Sequence, residues 1–219
     1  MSLTVKSLFL DLDGTLIDSK PGIMESYRIA AETVLPGQAY DAAAVSVGPP
    51  LPEMFRKSFP NASKPQIEDL VKAFRQYYET EGMLRTPLFD TAADLLVLWH
   101  KQNINLFIVT NKPARISSII LDNLRISRFF RAVLAVDSIQ PPFAGKAAMI
   151  QQLLRHHHLN LRDAVYVGDT GEDAAAAAAC GLRFVWAAYG YGKPSPDQLT
   201  SVFGTVQRFG ELAEILKRG

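Results

Sequence analysis

Two pairs of acids carry the chemistry that this sequence could perform. Asp11 and Asp13 close the run Phe9-Leu10-Asp11-Leu12-Asp13-Gly14-Thr15, and Asp169 and Asp173 close Val167-Gly168-Asp169-Thr170-Gly171-Glu172-Asp173. Carboxylates can attack phosphorus, relay a proton or hold a hard cation. Two acids at i and i+2 face the same side while a strand stays extended, and Gly14-Thr15 then lets the chain turn. Any one of the four would also serve as a helix cap. Gathered together, they would repel one another and raise each other's pKa. Mg²⁺ relieves that repulsion, because it prefers carboxylate and carbonyl oxygens and keeps several waters. Elsewhere, Thr110-Asn111 places a hydroxyl and an amide just before a helix, a natural anion site that also reads as an N-cap. Lys146 opens a helix where the dipole slightly disfavours a cation, which argues for another task.

The elements that must position these residues follow from hydropathy. Apolar runs at 7–12, 105–110, 132–136, 164–168 and 183–187 are nearly continuous, as in strands buried on both faces of a parallel sheet. Helical patterns at 113–124, 146–157 and 171–180 each follow a strand. The alternation predicts an α/β, Rossmann-like open sheet, whose ligands bind outside the carboxyl ends of the strands. Between the first two strands the pattern is helix only. Helices are expected at 21–34, at 51–59 after a stiff Gly48-Pro49-Pro50 turn, and from Ser63, which has capping-box spacing to Gln66. The expected division is a catalytic core of residues 1–16 and 87–219 and an all-helical cap of residues 17–86.

Bulk properties narrow the classes. The chain has 219 residues, 48% of them hydrophobic, and a formal charge of +1. That balance calls for neither nucleic acid nor an anionic membrane. No apolar run reaches membrane-span length, no signal peptide is evident, and the single cysteine, Cys180, needs no oxidising compartment. A cytoplasmic enzyme, monomeric or homodimeric, is the expectation. His156, His157 and His158 do not converge on a helix, where neighbours point about 100° apart. The six alanines from Ala174 to Ala179 read as close packing of helix on sheet, and Trp99 and Trp186 as core.

Taken together these motifs resemble the haloacid dehalogenase superfamily, and within it the phosphoglycolate phosphatase-like branch. Asp11-Leu12-Asp13-Gly14-Thr15, Thr110-Asn111, Lys146, and Gly168-Asp169-Thr170 with Asp173 match the four family motifs in order. Phe89-Asp90 departs from the family's usual Pro-Gly, and the lysine loop Pro141 to Lys146 lacks the common Lys-Pro pair. Tyr189-Gly190-Tyr191-Gly192 resembles a glycine-rich loop of this branch, and reads equally as a surface turn. The resemblance implies sheet order 5-4-1-2-3 and Mg²⁺ held by Asp11, the carbonyl of Asp13 and Asp169, with Asp173 nearby. It implies that Asp11 is the nucleophile, that Asp13 is the acid and base, and that Thr110, the amide of Asn111 and Lys146 bind the phosphoryl oxygens. The implied activity is phosphatase, of phosphoglycolate or of another substrate such as a nucleoside monophosphate or pyrophosphate. A phosphosugar mutase, a dehalogenase and a non-catalytic binding protein are the alternatives. The segment Gly48-Pro49-Pro50-Leu51 with Phe55 favours the phosphatase. A dehalogenase needs no acid at position 13.

Overall fold

The computed structural model describes residues 5–42, 45, 47 and 50–216. Gly48 and Pro49 of the expected turn, and the Met1-Ser2-Leu3 start, lie outside the described residues. The chain divides into two compact units, one of Met1–Asp18 with Pro87–Gly219 and one of Ser19–Thr86.

The first unit is built on a parallel sheet. Its strands are β1 (Ser7–Leu10), β2 (Asn105–Thr110), β3 (Phe130–Ala135), β4 (Ala164–Gly168), β5 (Arg183–Ala187) and β6 (Gly204–Val206), in the order β3-β2-β1-β4-β5-β6. This is the expected order with a sixth strand added beyond β5. Gly204-Thr205-Val206 is too short to stand out in the sequence, and pairing with Val185 to Ala187 fixes it there. Every residue of β1 and β4 is buried, which explains their unbroken apolar character. Phe9 lies in register with Phe107 on one side and Tyr166 on the other. The Phe9 and Phe107 rings stack with centroids 5.0 Å apart.

Helices α4 (Ala92–Lys101), α5 (Ala114–Asn123), α6 (Lys146–His156) and α7 (Gly171–Cys180) belong to this unit, after three helices of the second unit. Met149, Ile150 and Leu153 of α6, and Ala174, Ala176 and Ala177 of α7, join Phe9, Phe107 and Tyr166 in one core cluster. The alanine run therefore packs as expected, since small side chains let the helix approach the strands closely. Trp99 is buried against Phe209, and Cys180 donates to the carbonyl of Ala147 at 3.4 Å. His156 and His157 meet edge to face at the end of α6, and His157 packs against Phe107. Among the described residues, no helix is long and apolar enough to cross a membrane.

One local expectation is corrected. β1 stops at Leu10, so Asp11 and Asp13 do not share the face of an extended strand. The amides of Leu16 and Ile17 both donate to the carbonyl of Leu12, and the amide of Gly14 donates to Ile17. That tight turn parts the two acids, and each meets a different lysine.

The second unit is helical. It holds α1 (Lys20–Val34), α2 (Leu51–Ser58) and α3 (Lys64–Tyr78). The Ser63–Gln66 capping box forms as its spacing requires. Tyr27, Phe55, Phe59, Ile67, Leu70 and Phe74 make its core, with Tyr27 stacked on Phe55 at 4.3 Å. On α1, Arg28 is held by Glu32 of the same helix at 2.7 Å.

Candidate active site

Sheet order places β1 next to β4, where the direction of strand succession reverses. Ligands of open α/β sheets bind at that crevice. The amide of Asp11 continues the pairing beyond the strand by donating to the carbonyl of Val167 at 2.9 Å. Asp11 is thereby fixed beside the end of β4, two residues before Asp169. Carboxylate oxygens of Asp11, Asp169 and Asp173 all lie within 4.8 Å of one another, and all three residues are buried.

Lys146 lies among them. Gly145 ends the preceding loop and α6 begins at Lys146, whose side chain is 4% exposed. Its Nζ donates to Oδ1 of Asp11 at 2.7 Å and to Oδ1 of Asp173 at 2.6 Å. Burial works to lower the lysine's pKa, but Asp11 and Asp173 outweigh it and raise the pKa, so the ammonium is retained. Asp11 moves the other way from an ordinary acid. Burial lifts it well above the usual carboxylate range, Asp173 and Asp169 add to that, and Lys146 opposes it. Burial likewise raises Asp169, against the pull of the Tyr191 amide. For Asp173 burial pushes up, yet Lys146, Thr170 and Tyr166 together hold it below the ordinary value.

Asp173 serves the helix and the site at once. It forms the capping box of α7 with Thr170, whose amide and hydroxyl donate to Oδ2 at 3.0 and 2.6 Å. The Tyr166 hydroxyl donates to Oδ1 at 2.5 Å. The helix-cap meaning of this acid is therefore correct without excluding a role in the site. Gly168 is required here, because a Cβ would stand 2.4 Å from that of Asp173. Gly14 is required twice, by its φ of +78° and by Asp169 Oδ2, 2.5 Å from where a Cβ would be.

The remaining candidates fall into two groups. Asp13 is gripped by Lys112, whose Nζ donates to Oδ1 and Oδ2 at 2.9 and 3.1 Å. The Thr110 hydroxyl, buried, accepts from the amide of Lys112 at 3.1 Å. The Asn111 side chain turns away and donates to both oxygens of Glu172, at 3.0 and 2.9 Å. Lys146 thus joins Asp11 directly, whereas the Thr110 hydroxyl is engaged within its own loop and the Asn111 side chain by Glu172.

Lys112, Glu172 and Tyr166 were missed from the sequence. Nothing in the local sequence marks Lys112 or Glu172. Tyr166 did carry a signal, since a hydroxyl inside a strand buried on both faces must find a partner. Replacing it by phenylalanine removes one hydrogen bond to a charged acceptor, worth about 1.5–3 kcal/mol. Tyr166→Phe is expected to lower the urea midpoint accordingly, and an unchanged midpoint would show the bond to be energetically idle.

The donor set suits a divalent cation. Among the described residues, Asp11, Asp169 and Asp173 bring three buried carboxylates together, and Lys146 bridges two of them. Such a charge imbalance is costly away from water. A hard cation accepting carboxylate and carbonyl oxygens removes it.

Fold and site together define a hydrolase. The family model described as haloacid dehalogenase-like hydrolase matches residues 8–187, and the chain belongs to that family. A plasmid-borne phosphoglycolate phosphatase of Cupriavidus necator is 31% identical over 204 residues, covering 89% of this chain and 85% of that protein. A phosphoglycolate phosphatase of Pseudomonas fluorescens is 29% identical over 200 residues, covering 87% and 73%. A haloacid dehalogenase-like family hydrolase of known structure from Streptococcus pneumoniae superposes with a TM-score of 0.79 at 29% identity, over 96% of this chain and 97% of that one.

Proposed function

We propose that this phosphoric monoester hydrolase acts on a small phosphorylated metabolite through a phosphorylated Asp11, and that phosphoglycolate is its substrate. The observation that carries the mechanism is the Asp11 carboxylate at the crevice between β1 and β4, bound to Lys146 and beside Asp169. One oxygen of the Asp11 carboxylate attacks phosphorus, and the other is left for the metal. The new O–P bond forms as the ester P–O bond breaks, and Asp13 delivers a proton to the departing oxygen. Asp13 then takes a proton from the water that cleaves the aspartyl-phosphate. Lys146 neutralises charge on the phosphoryl oxygens, with the Thr110 hydroxyl and the backbone amide of Asn111 completing their cradle. Mg²⁺ held by Asp11, the carbonyl of Asp13 and Asp169, with Asp173 behind, would supply further neutralisation of the phosphoryl group.

The two named relatives motivate phosphoglycolate, and we assign the helical unit Ser19–Thr86 as the cap that selects the leaving group. The test compares kcat/KM for phosphoglycolate, sugar phosphates, nucleoside monophosphates and pyrophosphate, each with Mg²⁺ and with a chelator. Phosphoglycolate is expected to lead, and all turnover to stop with the chelator. Preference for another class would overturn the substrate but not the mechanism. Turnover in the chelator would overturn the metal requirement.

Asp13 makes a separable prediction. Asp13→Asn cannot deliver a proton, and general acid catalysis contributes about 10²–10⁴-fold. Alkyl phosphates, whose leaving groups need that proton, are expected to lose most, and nitrophenyl phosphate least. Equal losses across leaving groups would reduce Asp13 to a structural role.

A further inference from the structure

Tyr189, Gly190, Tyr191 and Gly192 follow β5 and take no part in the steps above. The loop is nevertheless fastened to both acidic strand ends. The amides of Tyr191 and Gly192 both donate to Oδ2 of Asp169, at 2.7 and 3.1 Å. The Tyr189 hydroxyl donates to the carbonyl of Thr15 at 2.6 Å, and the Tyr191 hydroxyl to Oδ1 of Asp18 at 2.7 Å. A Cβ on Gly190 would lie 2.2 Å from that of Asp169, and a Cβ on Gly192 would lie 2.8 Å from Cγ2 of Thr170. The indole of Trp186 donates to the carbonyl of Asp169 at 3.1 Å, at the other end of the same residue. A surface turn has no need of such contacts.

Their consequence appears when acceptor sites are counted. A carboxylate offers about four. Asp173 has all four engaged, two by Thr170, one by Lys146 and one by Tyr166. Asp169 has Oδ2 taken by two amides, while among the described residues Oδ1 has only the Thr15 hydroxyl at 3.5 Å. Asp11 gives Oδ1 to Lys146. Among the described residues, Oδ2 of Asp11 accepts no hydrogen bond. The acids therefore offer a cation two single oxygens, Oδ2 of Asp11 and Oδ1 of Asp169. One oxygen per carboxylate suits the octahedral, partly hydrated Mg²⁺. Ca²⁺ takes six to eight oxygens and often claims both from one carboxylate.

We propose that the loop Tyr189–Gly192 sets the cation preference of the site: its two amides hold Oδ2 of Asp169, restrict that acid to one-oxygen contact, and so favour Mg²⁺ over Ca²⁺. Tyr191 and Gly192 are positioning residues, acting through Asp169. The proposal rests on the metal-dependent reading above.

Isothermal titration of the purified full chain with Mg²⁺ and with Ca²⁺ tests it without any turnover. Gly192→Ala forces the loop off Thr170 and carries the amides with it. Losing a partner that orients a metal ligand typically costs 10–100-fold in affinity. Mg²⁺ is expected to weaken by about that factor and Ca²⁺ by less, so the Ca²⁺/Mg²⁺ affinity ratio rises about tenfold or more. Gly204→Ala, in β6, controls for crowding, because its Cβ would press on Ile215. It is expected to keep the wild-type ratio. If Gly192→Ala does not fold, a crystal structure of the wild-type protein with Ca²⁺ decides. One oxygen of Asp169 on the ion supports the proposal, and two overturn it. A folded Gly192→Ala with an unchanged ratio, or an equal change in Gly204→Ala, overturns the loop's role and leaves the metal-dependent reading standing. Failure of the wild-type protein to bind either cation overturns both.

Discussion

Asp11→Asn is expected to abolish phosphate release while leaving the protein folded. Asparagine keeps the shape of the side chain, and its oxygen can still accept from Lys146, but an amide cannot displace an alkoxide from phosphorus. Removing the nucleophile of a covalent hydrolase costs on the order of 10⁶ in kcat. Stability should move the other way at neutral pH. Burial and the nearby acids raise the Asp11 pKa above its ordinary 3.8. A raised carboxylate pKa favours folding below the ordinary value, and that contribution is lost as pH rises through the folded value. Ionised Asp11 is therefore a burden on the metal-free fold near neutrality, and the uncharged amide lifts it. Urea unfolding in chelator should show the variant at least as stable as wild type at neutral pH, with the advantage shrinking as pH falls into the carboxylate range. Fluoroberyllate, which mimics a phosphoryl group on a carboxylate, should bind wild type with Mg²⁺ and not Asp11→Asn. Normal turnover by the variant would sink the aspartyl-phosphate mechanism.

The sequence displayed the strands and helices of the first unit because burial on both faces leaves a simple record. β2, β4, β5 and α7 begin and end where their apolar runs and caps place them. The acidic residues were legible for a similar reason, since carboxylates at the ends of apolar strands are conspicuous. Their partners were not. Lys112 and Glu172 are separated from Asp13 and Asn111 by 99 and 61 residues. Only the sheet order brings those loops together, and no local pattern distinguishes either charge from a solvated one. The backbone amides of Tyr191 and Gly192 carry no side-chain signature at all. Their glycine neighbours read equally as a surface turn, and nothing in them pointed to Asp169. The turn after Leu10 was misread because strand periodicity does not report where pairing stops.

Lys146 makes the second strong prediction, because folding and catalysis depend on it differently. Its ammonium bridges two buried carboxylates at 2.7 and 2.6 Å. Breaking a buried ion pair by removing one partner typically costs about 3–5 kcal/mol. That is a large share of the roughly 5–15 kcal/mol that holds a whole domain. Lys146→Met keeps an unbranched apolar stem but leaves Asp11, Asp169 and Asp173 without a cation among them. In chelator, the variant is expected to unfold at a much lower urea concentration than wild type. Mg²⁺ should then stabilise it more than it stabilises wild type, because a vacant cation position strengthens the demand for one. A ligand at 100 times its Kd contributes about 2.7 kcal/mol, enough to restore most of the fold. Turnover should not return with the fold, since the phosphoryl oxygens lack the positive charge that Lys146 brought to them. Lys146→Arg should fold better than the methionine variant, having kept the charge, and still turn over poorly, because a planar fork cannot replace a compact ammonium between two carboxylates. Folding measured by urea titration and turnover measured on the same Mg²⁺-loaded samples separate the two roles. Full activity in Lys146→Met would remove the lysine from the site. Activity that recovers in step with stability would make it a structural bridge and nothing more.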